Sequence, residues 1–174
     1  GEYVRVGTHI APAPEHVEGM IEATLIEYTS DLNSYFLDKI GKFHLDFETI
    51  HPFNDGNGRI GRVIINYQLQ RLGFPSVIVR NREKKDYYKA FGDYRDGKNS
   101  KTMEKILVLG LTESLHKRIA YLKGETIIPL ADYTKKHSLS GPALSNAARR
   151  QKIPAFREKG VWKIPENFKY EASK

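Results

Sequence analysis

Apolar residues recur at three- and four-residue steps through the first two thirds of this chain, the spacing of helices that bury one face. Leu32, Phe36, Ile40, Phe43, Phe47 and Ile50 form one such series, and Ser30 or Asp31 stands where its N-cap would be. The helix is predicted to end at His51, because Pro52 disfavours helical geometry in the residue before it. Ile60, Val63, Ile64, Tyr67 and Leu72 predict the face of a following helix, closed by Gly73. Pro14 opens an earlier helix that runs to about Tyr28, and further helical patterns lie near 82–96 and 101–122.

Alternation of the strand type is confined to the two ends. Tyr3-Val4-Arg5-Val6 and Thr8-His9-Ile10 flank Gly7 as a small hairpin. Beyond Lys123-Gly124, where a boundary is expected, Pro129 opens a short helix through Leu130, Ala131 and Tyr133. His137-Ser138-Leu139 makes a turn, and Ser140 caps a helix through Arg150. Ile153-Pro154-Ala155-Phe156 and Val161-Trp162-Lys163-Ile164-Pro165 then flank a Glu158-Lys159-Gly160 turn. The pattern predicts a mainly α core with a β-hairpin over residues 1–122. A small winged helix-turn-helix module follows over 123–174.

Composition adjusts this picture in two places. The net charge of +7 is concentrated in the last third. Residues 1–122 carry 17 Lys+Arg against 16 Asp+Glu, and residues 123–174 carry 11 against 5. That makes the C-terminal module the better partner for a polyanion such as DNA; a solubilising lysine-rich surface is the alternative. There is no cysteine and no long apolar run, which excludes disulfides and gives a membrane no foothold. A cytoplasmic location is the expectation. The chain opens on Gly1 directly into strand-like sequence, as expected of a piece whose natural N-terminus lies elsewhere.

The candidate chemistry is concentrated in His51-Pro52-Phe53-Asn54-Asp55-Gly56-Asn57-Gly58-Arg59-Ile60-Gly61-Arg62. Backbone N–H groups at a helix N-terminus form an anion site, and glycines allow a phosphate close to the backbone. Asn57 can add a side-chain donor. Arg59 and Arg62 lie three apart on the helix, and their guanidinium forks suit phosphate oxygens. Asp55 offers a hard oxygen for magnesium, and His51 can take a proton from an attacking hydroxyl. Phe53 is expected to anchor the loop in the core. Taken singly, each residue has an ordinary structural explanation as a cap, turn former or surface cation. Their joint presence at one helix start is what points to phosphate chemistry.

The stretch resembles the Fic family signature His-x-Phe-x-Asp/Glu-Gly-Asn-Gly-Arg-x-x-Arg at every specified position. The resemblance extends through residues 1–122, with Val4–Ile10 similar to the family's flap hairpin and Asp86-Tyr87-Tyr88 similar to its nucleotide-side helix. It implies transfer of AMP from ATP, with Mg2+, to a Ser, Thr or Tyr hydroxyl of a target protein or of the chain itself. In that reading His51 is the base and Asp55 the magnesium ligand. Gly56, Asn57 and Gly58 form the anion hole, while Arg59 and Arg62 contact the β- and γ-phosphates. Tyr88 belongs to the nucleoside pocket, and Thr8, His9 and Ile10 hold the target by strand addition. Gly58 stands where phosphate-transferring relatives resembling Doc carry lysine, which favours AMP transfer.

Two departures from the family pattern qualify this. No Ser/Thr-x-x-x-Glu-Gly/Asn run supplies the glutamate that restrains the second arginine in many members, so inhibition is expected from a missing N-terminal portion or a separate chain. Arg95 occupies a position where some relatives place an adenine-contacting asparagine, which leaves base specificity open. In the C-terminal module, residues 127–168 resemble excisionase- or MerR-like winged helices. Ser145, Asn146, Arg149 and Arg150 would face a DNA groove, with Arg157 and Lys159 in the wing, and a homodimer would supply two such modules. The rival readings are a DNA-binding regulator whose core only senses nucleotide, which has no need of His51, and transfer of another phosphate-containing group.

Overall fold

A computed structural model describes residues 5–6, 9–80 and 84–171. Thr8, expected in the flap, lies outside them, as do Tyr3, Val4 and Gly7. The chain divides into two compact units. One comprises Gly1–Gly73 with Val77–Val108, and the other Phe74–Ser76 with Leu109–Lys174.

The first unit is mainly helical. β1 (Arg5–Val6) and β2 (His9–Ile10) pair antiparallel, with Arg5 opposite Ile10 and Val6 opposite His9. α1 (Pro14–Ser30), α2 (Phe36–Ile50), α3 (Asn57–Arg71) and α4 (Lys84–Gly97) follow, and α2 packs against the other three. Its central place fits its sequence, since Leu37, Ile40, Phe43, Leu45, Phe47 and Ile50 are all buried. Ile65 and Leu69 of α3 and Tyr87, Ala90, Phe91 and Tyr94 of α4 belong to the same unit's core. Met103 and Leu107, from the start of α5 (Lys101–Leu122), add to it.

Three sequence expectations are corrected here. α2 begins at Phe36 rather than after Asp31, because the Asp31 carboxylate accepts the N–H groups of Asn33 and Ser34 and holds the connection in a turn. Leu32 consequently lies outside the helix and is 87% exposed. The buried face of α3 is Asn57, Gly61, Ile65, Gln68 and Leu69, not the series Ile60, Val63, Ile64, Tyr67 and Leu72, of which Ile64 is half-buried and the others are exposed. Hydropathy alone misplaced that face, because close helix packing at Gly61 decides which side turns inward.

The second unit contains the rest of α5, then β3 (Ile127–Pro129), α6 (Leu130–Lys136), α7 (Gly141–Arg149), β4 (Phe156–Glu158) and β5 (Val161–Pro165). The strands form an antiparallel sheet in the order β3-β5-β4. β3 was not expected, and β4 starts later than the run at Ile153 suggested. Lys159 (φ 48°) and Gly160 (φ 83°) join β4 to β5, the two left-handed residues that a tight two-residue hairpin requires. Ser140 caps α7 as expected, its hydroxyl accepting the Ala143 N–H. Leu130, Tyr133, Leu144, Ala148, Ile153, Ala155 and Ile164 make this unit's core. No helix among the described residues is long and apolar enough to cross a membrane.

Candidate active site

His51 terminates α2 in the left-handed region (φ 54°, ψ 60°), where its N–H still bonds to the Phe47 carbonyl at 2.9 Å. For a residue with a side chain this conformation is uncommon and mildly strained. The following Pro52 keeps His51 out of the right-handed helical region, and the left-handed turn leads the chain into the glycine loop. The imidazole is half-buried and hydrogen-bonds the Glu48 backbone carbonyl. That contact fixes one ring nitrogen as a donor and leaves the other as an acceptor. Burial lowers the His51 pKa below the ordinary histidine value; the Glu48 carbonyl opposes the shift, while His9 and Arg95 add to it. The side chain is therefore neutral at physiological pH, the state a base requires.

The loop is built around Asn57. Its side-chain oxygen accepts the Phe53 N–H at 3.0 Å, and its amide donates to the Phe53 carbonyl at 2.5 Å. Through these two bonds to Phe53, Asn57 shapes the loop. Phe53 is 46% exposed and is not the core anchor that was expected; the loop is pinned by hydrogen bonds. Gly56 caps α3 with φ 85°, a conformation that glycine adopts without steric cost.

Arg59 and Arg62 lie in the first two turns of α3, where the helix dipole already concentrates positive potential. Cations there cost local stability and gain affinity for an anion. Arg59 donates to the Asp55 carboxylate at 2.9 Å, and the other Asp55 oxygen accepts the Gly56 N–H at 2.6 Å. Both side chains are open to solvent, at 74% and 92% exposure. A Cβ on Gly58 would lie 3.2 Å from Arg62 Nη1, so a larger residue there would displace that guanidinium. No group of three or more His, Asp or Glu among the described residues is arranged to hold a metal ion. The single exposed carboxylate of Asp55 beside an anion loop does suit magnesium, which takes few protein ligands and completes its shell with phosphate and water.

The other expected residues lie outside this loop. His9 Nε2 donates to the Thr49 carbonyl at 2.8 Å, tying β2 to the end of α2 just before His51. Ile10 is exposed. Tyr88 is exposed on α4, its ring packed edgewise on Tyr87. In the second unit Asn146, Arg149 and Arg150 are exposed and Ser145 is half-buried. Arg157 lies in β4, the strand of the expected wing, but is only 8% exposed, with its guanidinium 4.1 Å from the centre of the Trp162 ring and its backbone N–H donating to Glu113.

Reading the sequence alone overlooked a buried group behind the loop. His44 Nε2 and the Tyr87 hydroxyl are 2.7 Å apart, and Arg62 hydrogen-bonds the same Tyr87 side chain. Glu48 is buried next to them. Gly61 makes the arrangement possible, because a Cβ there would lie 2.7 Å from His44 Cε1 and 2.8 Å from Glu48 Oε1. The i,i+4 spacing of His44 and Glu48 was a visible signal, but nothing in the sequence pointed it towards Arg62.

The Fic/DOC family model matches residues 2–69, which contain the hairpin, α1, α2, the loop and most of α3. The chain carries a Fic/DOC family domain over these residues. It is 35% identical over 54% of its length to a protein adenylyltransferase Fic of Nematostella vectensis, of which it covers 22%. Over 94% of its length it is 29% identical to a probable protein adenylyltransferase of Aquifex aeolicus, of which it covers 59%. Among solved structures, a Fic domain containing signaling protein from Bacteroides thetaiotaomicron aligns with a TM-score of 0.63 and 26% identity, over 72% of this chain and 56% of that one. A Fic family protein from Desulfovibrio desulfuricans shares the fold over 97% of this chain and 61% of its own, at 19% identity and a TM-score of 0.53. The chain thus spans between about a fifth and three fifths of these relatives' lengths.

Proposed function

We propose that this Fic protein is a protein adenylyltransferase, moving AMP from ATP to a Ser, Thr or Tyr hydroxyl of a target protein or of itself. The observation that carries the reading is a neutral, oriented imidazole at the mouth of a glycine loop that opens a helix bearing two arginines. The curated relatives named as protein adenylyltransferases support the choice of reaction.

The target hydroxyl oxygen attacks the α-phosphorus as His51 takes its proton. The bond from the α-phosphorus to the bridging oxygen breaks, and pyrophosphate leaves. Backbone N–H groups at the start of α3 receive the phosphate oxygens, and Arg59 and Arg62 hold the β- and γ-phosphates so that the leaving group is in line. Asp55 would hold Mg2+, which neutralises charge on the phosphate chain. Tyr88 offers a ring for the nucleoside. The β2 edge, with Ile10 exposed and His9 fixed to Thr49, would take the target's backbone as an added strand, leaving side-chain selection loose. The sequence carries no glutamate in the inhibitory pattern, so restraint of Arg62 by a segment outside these residues, or by a separate chain, belongs to this proposal. ATP labelled on the α-phosphate should leave its label on protein, whereas ATP labelled on the γ-phosphate should leave none; the reverse would indicate phosphate transfer.

The second unit is proposed as a winged helix-turn-helix, with α7 as the recognition helix and β4–β5 as the wing. Support comes from the exposed Asn146, Arg149 and Arg150 on or next to α7 and from the excess of basic residues in this third of the chain. A homodimer would present two such surfaces. Binding to duplex DNA should weaken steeply as salt rises, and Arg149→Ala should reduce that slope. No binding at low salt would remove this part of the proposal.

A further inference from the structure

Behind the glycine loop, Glu48 has no place in the transfer chemistry, yet it is held in an unusual setting. Its side chain is 9% exposed, and Oε1 has no hydrogen-bond partner. Leaving a buried carboxylate oxygen unsatisfied is costly, so the position calls for an explanation. The titratable groups facing it are His44 from its own helix, Arg62 from α3 and Tyr87 from α4. Burial holds His44 neutral, its pKa brought down to about 3, so its approach to Glu48 Oε1 at 4.0 Å is no ion pair. Tyr87 is uncharged, its pKa raised by burial and by Glu48. Arg62 is the cation of this group. The vacant side-chain position of Gly58 shows where the two meet: a Cβ there would lie 3.2 Å from Arg62 Nη1 and 3.7 Å from Glu48 Oε1. The carboxylate and the guanidinium converge on the inner wall of the anion loop.

The geometry points to Glu48 as a positioning residue for Arg62: its buried carboxylate competes with a bound polyphosphate for the guanidinium, and polyphosphate binding is coupled to uptake of one proton by Glu48. This rests on the reading that the loop and Arg62 receive the phosphate chain of ATP. Burial raises Glu48 to about 7, with Arg62 opposing the rise, so the group is partly ionised at neutral pH. A polyanion on the same guanidinium weakens that opposition and adds repulsion, both of which favour the protonated carboxyl. The proton comes from solvent and rests on the carboxylate, and no covalent bond to the nucleotide changes.

Binding of ATP, and separately of inorganic tripolyphosphate, should be measured calorimetrically on the whole chain without a target, at about pH 6 and about pH 8. Glu48→Gln keeps the side chain's shape and removes its charge. It should match wild type at the lower pH and bind several-fold more tightly at the higher one, since each unit of pKa change on binding corresponds to about tenfold in affinity. Titration of the nucleotide and of His51 is common to both proteins and cancels in the comparison. Equal pH dependence in the two proteins, or weaker binding by Glu48→Gln at both pH values, would overturn the proposal. Carbon-13 carboxyl NMR on wild type tests the same point without a variant: the Glu48 titration should move to higher pH when tripolyphosphate saturates the site, and a stationary titration overturns the coupling. If ATP binds but AMP is never transferred, the proposed activity fails while this test stands. If neither polyphosphate binds, both fail.

Discussion

At the scale of single residues, His51 gathers several constraints into one side chain. Its backbone is turned by Pro52, its ring is held by the Glu48 carbonyl, and burial keeps it neutral. The acid limb of a pH–rate profile should therefore lie below the ordinary histidine pKa, because loss of the base begins only when His51 protonates. Arg95 contributes to that lowering through its charge. Arg95→Gln should move the acid limb to higher pH with no loss of the plateau rate, as read from kcat/KM against pH. A limb that stayed in place would show that Arg95 does not act on the base.

At the scale of elements, the decisive contact is the crossing of α2 and α3 at Gly61. The His44 and Glu48 side chains occupy the space that any β-carbon at this position would need. Gly61→Ala should destabilise the fold by about 1–3 kcal/mol, the usual range for overpacking a filled core, despite the helix preference for alanine. Chemical denaturation measures this; a variant as stable as wild type would mean that the crossing has slack.

Much of this level was legible in the sequence. Pro52 placed the end of α2, Gly73 the end of α3 and Ser140 the start of α7, each through a local backbone requirement. The inward face of α3 was not legible, because Ile60, Val63 and Tyr67 are more apolar than Gly61 and Gln68, and the size of the residue at the crossing outweighs hydropathy there. For the same reason the i,i+4 pair of His44 and Glu48 was visible in the sequence without showing that it is buried. Their importance comes from α3 and α4 closing over them, and sequence spacing within α2 does not report that.

At the scale of the whole molecule, α5 belongs to both compact units, which divide after Val108. The part of α5 from Leu109 onward packs within the second unit: Glu113 accepts the Arg157 N–H, and Tyr121 donates to Glu158. Ending the chain after Leu122, the boundary suggested by charge and by Gly124, would remove the Arg157 N–H from the Glu113 carboxylate and Glu158 from the Tyr121 hydroxyl. Such a truncation should unfold at a lower temperature than the 174-residue chain and tend to aggregate. An unchanged melting temperature would show that the first unit completes its own fold without the second.

The account centres on His51 as the base of an AMP transfer at the glycine loop. The most direct test compares wild type with His51→Ala, using ATP labelled on its α-phosphate and scoring label on protein beside ATP affinity. The expected result is loss of labelling by roughly two to four orders of magnitude, the usual contribution of a general base, with ATP binding nearly unchanged. Equal labelling by the two proteins would contradict the account.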